Sequence, residues 1–258
     1  MKICLIGNSH IACIKKAWDS LASQYPFTIT FFGSHADTLL NTQAQDKKFT
    51  PTNAQVKRSF SITSGGQEEV DFTQFDICIV HGILTPLRNW FPLWRDLRKN
   101  IFYSRAFIDA CIETFNPIVQ HLIKEITACT KLPLIFTPKP NPAILERKQL
   151  ISPAEYSELC SFMSIRFNAL GLHYIPQPDE TLADFFYTKA EFNKNGLGLG
   201  SVPKKEESFA PADNVRHMNA AYGEIYLKHV FNYINTTVMD LSTQNRKKIN
   251  ATNELQIA

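Results

Sequence analysis

The chain has 258 residues, enough to bury a full core as one domain, and a hydrophobic fraction of 44% with mean hydropathy of -0.17 fits a globular protein. A net charge of +3, with lysines and arginines scattered rather than striped, argues against nucleic acid as a partner. No apolar run reaches the roughly 18 residues of a membrane helix, so no membrane partner is expected.

The first run, Ile3-Cys-Leu-Ile-Gly7, reads as a buried strand that breaks at Gly7 and delivers Asn8, Ser9 and His10 to the mouth of a helix. A strand beginning at Lys2 or Ile3 leaves no room for a signal peptide, and a cytoplasmic location is expected. Ile11, Ile14, Trp18 and Leu21 share one face of a helix from about Ser9 to Ser23. Phe27 to Phe32 is a second strand, stopping at Gly33. A polar stretch from Ser34 to Gln74 follows, and its Gly65-Gly66 reads as the turn of a small hairpin or flap. Phe75 to Val80 is the third strand, ending at His81-Gly82.

The aromatic run Asn89-Trp90-Phe91-Pro92-Leu93-Trp94 suits a stacking platform for sugar rings or a core segment, and core is the preferred reading. Ala106 to Thr130 reads as helix, kinked or split at Pro117. Leu132 to Thr137 is the fourth strand, closed by Pro138, Pro140 and Pro142. A helix from about Pro153 to Leu170 leads to a short fifth strand, His173 to Ile175. In the irregular stretch 176 to 212, Gly196-Leu-Gly-Leu-Gly200 lacks the preceding strand of a phosphate loop and reads as flexible loop. Val215 to Ile234 makes the last helix, and the tail from Met239 is polar.

Strands separated by helices predict an α/β fold: three layers, α/β/α, around a flavodoxin-like parallel sheet of about five strands. One domain is expected over 1-238, with loop insertions near 34-74, 83-106 and 176-212 and a polar tail over 239-258. None of the six cysteines forms Cys-x-x-Cys, and most sit in apolar runs, as core thiols do.

A strand ending in a tight turn presents its next side chain at the carboxyl edge of the sheet, where α/β proteins keep their chemistry. Ser9 is therefore a candidate nucleophile, although serine equally suits the N-cap of the first helix. A nucleophilic serine needs a base, usually a histidine oriented by a carboxylate. Asp213-Asn-Val-Arg-His217 falls after the last strand, where a loop reaches back over the first. His217 is the candidate base and Asp213 its orienting group, with an N-cap role for Asp213 as the alternative. The Ser9 N–H at a helix N-terminus, with a donor from the loops after strands two and three, would bind an oxyanion. His10, His35 and His81 lack metal-ligand spacing, so no metal is expected.

Position 11 is Ile, so the Gly-x-Ser-x-Gly elbow of the α/β-hydrolases is absent. Gly7-Asn8-Ser9-His10 together with Asp213-Asn-Val-Arg-His217 instead resembles the SGNH (GDSL-like) hydrolase family. That family has a serine in a Gly-Asp-Ser-like block after its first strand and an Asp-x-x-His pair near its C-terminus. Two departures stand out. Asp213 lies four residues before His217 and Asn214 occupies the usual place, and His81-Gly82-Ile83-Leu84 replaces the family's Gly-x-Asn block.

The resemblance implies a serine esterase acting on carboxylic esters without a cofactor, with O-acetyl groups of a sugar or glycan precursor as the expected substrate. It also places Gly33 as the oxyanion glycine. Asn8, His81, Gly82 and Arg105 are the candidates for substrate contact. Two alternatives stay open at this point: a sugar O-acetyltransferase with acetyl-CoA as donor, and a non-catalytic module holding an anion or glycan at the Gly7-Asn8-Ser9 turn.

Overall fold

The computed structural model describes residues 1-99, 103-104, 106-107, 110, 117-143, 151-199 and 215-238. Strand β1 (Lys2–Gly7) runs into helix α1 (Ile11–Leu21) and then β2 (Thr28–Gly33). Next comes a small antiparallel unit, β3 (Thr42–Gln45) and β4 (Lys48–Pro51), turning at Asp46 and Lys47, which both have positive φ. Helix α2 (Ala54–Ser64) follows, and β5 (Val70–Asp71) pairs with β4.

Two readings of this stretch are corrected by the structure. Asn53 accepts from the Val56 N–H at 2.9 Å and starts α2, and Gly65, at φ 83°, is its left-handed C-cap. Gly65-Gly66 therefore ends a helix, and the hairpin turn lies nearly twenty residues earlier at Asp46-Lys47.

Strand β6 (Ile77–Leu84) is followed by α3 (Phe91–Arg98), α4 (Pro117–Cys129), β7 (Leu134–Pro138), α5 (Pro153–Asn168) and β8 (His173–Tyr174). Trp90, Leu93 and Trp94 are buried, which is the core reading of the aromatic run. Pro117 stands at the head of α4, where its missing N–H costs nothing. A short ribbon, β9 (Leu182–Asp184) with β10 (Tyr187–Thr188), precedes helix α6 (Ala220–Tyr233).

Five strands form one parallel sheet in the order β2-β1-β6-β7-β8, the flavodoxin-like arrangement. Side chains alternate across it. Ile3, Leu5, Ile77, Ile79 and Ile135 pack with the buried faces of α1 and α6. Cys4, Ile6, Cys78, Val80, Leu134 and Phe136 pack with α2, α3, α4 and α5. Each fully buried aliphatic contributes about 1.5–3 kcal/mol relative to exposure, and burial on both faces explains the unbroken apolar runs. The fold is three-layer α/β/α.

Helices α1 and α6 lie side by side because Gly223 has no side chain; a Cβ there would collide with the Cys13 carbonyl. Register then levels the carboxyl ends: Gly7 pairs with Gly33 on one side and His81 on the other, and His81 pairs with Thr137. Cys4, Cys13, Cys78 and Cys129 are buried free thiols and Cys160 is half-buried; Cys111 lies outside the described residues. Among the described residues, no helix is long and apolar enough to cross a membrane.

Candidate active site

Beyond Gly7 the chain turns at once: Asn8 O accepts from the Ile11 N–H at 3.1 Å and Ser9 O from the Ala12 N–H at 3.3 Å. His10, not Ser9, occupies the N-cap of α1, and no side chain caps that end. The Ser9 hydroxyl is thereby left for another partner. It meets His217 Nε2 at 2.9 Å, closing a gap of 208 residues in sequence. The Ser9 N–H has no protein acceptor among the described residues.

His217 is held from its own backbone. Asn193 Nδ2 donates to its carbonyl at 2.7 Å, and the Leu197 N–H donates to the next carbonyl, Met218 O, at 2.9 Å. Asn219 then caps α6, accepting from the Tyr222 N–H at 3.2 Å, so the cap belongs to Asn219 rather than Asp213. Gly196 lies against the His217 carbonyl and Gly198 beside the ring, where a Cβ would stand 3.7 Å from Nε2. The segment expected to be a flexible loop is pinned across the site over its described part, Gly196 to Leu199.

Burial, and then the charge of neighbouring Arg216, lower the His217 pKa below its ordinary value. The ring therefore stays neutral near neutral pH, the form that accepts a proton. His217 Nδ1 is buried and has no hydrogen-bond partner among the described residues. Asp213, expected to orient it, lies outside those residues, as does Arg105. The neighbour the structure gives the ring is His10, stacked on it at 5.2 Å between centroids.

The floor is built by three residues expected to contact substrate. Asn8 is buried and uses both ends of its amide, donating to Gly82 O at 2.6 Å and accepting from the His10 N–H at 3.1 Å. Gly82 sits at a bulge in β6 with φ 77°, so close to Asn8 that a Cβ would lie 2.6 Å from Oδ1. His81 is fully buried, its Nδ1 2.8 Å from Thr137 Oγ1 and its ring edge-on to Tyr226. Desolvation lowers its pKa to about 3. His81 thus lies beneath the site, its ring turned into the layer covered by α6.

Gly33 lies at the same edge, but its N–H donates to Thr63 Oγ1 at 2.8 Å. That partner sits on α2, a helix hidden in a polar stretch, and nothing in the sequence singled it out. His10, which stacks on His217, was also missed; a lone histidine at a helix start carries no distinctive spacing. Among the described residues, no group of three or more His, Cys, Asp or Glu is placed to hold a metal.

No protein-family model and no curated protein matches the chain. Among solved structures it is similar to a GDSL-like lipase of Bacteroides thetaiotaomicron, at 9% identity over 91% of this chain and 87% of that one, with a TM-score of 0.40. It is similar to a proposed acylhydrolase of Bacteroides fragilis, at 11% identity over 92% of this chain and 87% of that one, with a TM-score of 0.38. A third neighbour is a gut microbial diltiazem-metabolizing enzyme, at 11% identity over 88% of this chain and 46% of that one, with a TM-score of 0.37.

Proposed function

We propose that the chain is a serine esterase of the SGNH type, acting on carboxylic esters through Ser9 and His217. One observation carries the reading: Ser9 Oγ and His217 Nε2 stand 2.9 Å apart at the carboxyl edge of the sheet. A structural serine and a surface histidine, 208 residues apart, have no packing reason to meet there.

In this reading Ser9 Oγ bonds to the ester carbonyl carbon while its proton passes to His217 Nε2. The C–O bond to the alcohol then breaks, and the alcohol leaves with that proton. Water, deprotonated by the same nitrogen, releases the acid and restores Ser9. The Ser9 N–H is the oxyanion donor this chain offers; the Gly33 N–H contributes only if it leaves Thr63. Burial keeps His217 neutral, the form that takes up the Ser9 proton. The reaction needs no cofactor, and O-acetyl groups of sugars are the substrate class the family resemblance implies.

The test is turnover of p-nitrophenyl acetate by the wild type, Ser9→Ala and His217→Ala. Each substitution should lower kcat by about a thousandfold or more, and the double variant should be no worse than the single ones. Turnover that survives both substitutions overturns the reading.

A further inference from the structure

Glycines around the Ser9–His217 pair have a backbone or packing reason to be glycine. Gly7 and Gly196 back onto the carbonyls of His81 and His217, with which a Cβ would collide, and Gly82 holds a positive φ. Gly198 has neither reason. Its φ is not positive, and a Cβ built on it would meet His217 Cδ2 and Nε2, both at 3.7 Å, an ordinary van der Waals distance. Among the described residues no other atom comes within 4 Å of that position, so the stacked His10 ring does not fill it. A side chain would fit there, and it would stand beside the nitrogen that faces Ser9.

Gly198 is held in place from both sides. Before it, the Leu197 N–H donates to Met218 O at 2.9 Å and the Gly196 N–H to Asn193 O at 3.0 Å. Asn193 in turn donates to the His217 carbonyl at 2.7 Å, so the glycine and the imidazole are tied to the same backbone. After it, Leu199 packs on the core cluster of α1 and α6, its Cδ1 3.1 Å from where a Cβ on Gly33 would stand.

Ester cleavage gives the space beside Nε2 a use. As the bond to the acyl carbon breaks, the alcohol oxygen takes its proton from His217 Nε2 while the acyl group stays on Ser9 Oγ. That oxygen must therefore come within about 2.6–3.2 Å of Nε2. The carbon it carries, and the branches on that carbon, fall in the next layer out, where a side chain at 198 would begin. A small primary alcohol puts one short branch there, and a secondary ring alcohol puts two.

We propose that Gly198 is a specificity-determining residue on the alcohol side of the ester, its missing side chain making room for a bulky secondary alcohol such as a ring hydroxyl. This rests on the Ser9–His217 reading for the reaction and deepens it by naming the class of leaving group.

Ethyl acetate and cyclohexyl acetate share an acyl group and differ in the alcohol alone. The readout is the ratio of kcat/KM for the cyclohexyl ester to that for the ethyl ester, in the wild type, Gly198→Ala and Gly198→Val, so that any general loss cancels. The wild type should take the cyclohexyl ester at least as well as the ethyl ester. The ratio should fall by about tenfold in Gly198→Ala and further in Gly198→Val. A fluorophosphonate expels only fluoride, so it should still label Ser9 in Gly198→Ala and shows that the reacting pair is intact. An unchanged ratio in Gly198→Ala, or a wild type that takes ethyl acetate and rejects cyclohexyl acetate, overturns the proposal and leaves the Ser9–His217 reading standing. A wild type that neither turns over these esters nor labels at Ser9 sinks that reading, and the proposal with it.

Discussion

The ring of His10 stacks on that of His217, with centroids 5.2 Å and planes 24° apart. His217 Nδ1 has no hydrogen bond among the described residues, so this contact is the visible restraint on how the ring faces Ser9. Replacing His10 by Ala should let the ring tilt and lower kcat by roughly ten- to a hundredfold with little change in KM. Phe at the same position retains the stack and should stay close to the wild type. A kcat in His10→Ala equal to that of the wild type would show that something else holds the imidazole.

Because burial and Arg216 both lower the His217 pKa, the neutral base persists below the ordinary histidine value of about 6.5. The acid limb of kcat/KM against pH should therefore lie below that value. Arg216→Ala removes a cation that opposes protonation, so the limb should move upward. A limb that stays put, or moves down, contradicts this electrostatic account.

Gly82 holds a conformation that other residues resist, at φ 77° and against Asn8 and His10. Gly82→Ala should cost about 1–3 kcal/mol of unfolding free energy, read as a lower denaturant midpoint. Activity should fall too, since the displaced Asn8 amide is what joins the Ser9 turn to β6. An unchanged midpoint would mean that the bulge relaxes freely.

His10 and His81 are both buried with pKa values lowered mainly by desolvation, His81 to about 3. In the unfolded chain they titrate near 6.5, so between these limits the unfolded state binds more protons and stability falls with falling pH. Each contributes a slope of up to about 1.4 kcal/mol per pH unit below 6.5, and full stability is present above it. Urea titrations at several pH values should show that slope, reduced by up to roughly half in His81→Phe. Identical slopes in the two proteins would remove His81 from the acid transition.

The parallel sheet was readable because its strands are buried on both faces: Ile3 to Ile6 and Ile77 to Val80 are continuous apolar runs, the first ending at Gly7 and the second at His81-Gly82. Helix α2 was not, because only Val56, Phe60 and Thr63 are buried on it, and a polar helix resembles a loop. That one omission propagates into the site, since Thr63 is what occupies the Gly33 N–H. Ser9 and His217 were legible as a pair because strand order fixes which loops share the carboxyl edge. The burial of His81 had no signature, as alternation along a strand that is apolar on both sides does not say which layer a histidine enters.

Covalent capture of the serine tests the central claim most directly. A fluorophosphonate reacts with an activated serine, and intact mass followed by peptide mapping locates the adduct. One adduct is expected, on Ser9, absent in Ser9→Ala and slowed by about a thousandfold or more in His217→Ala. Labelling at another serine, or labelling of Ser9 at the wild-type rate in His217→Ala, would contradict the pairing of Ser9 with His217 as nucleophile and base.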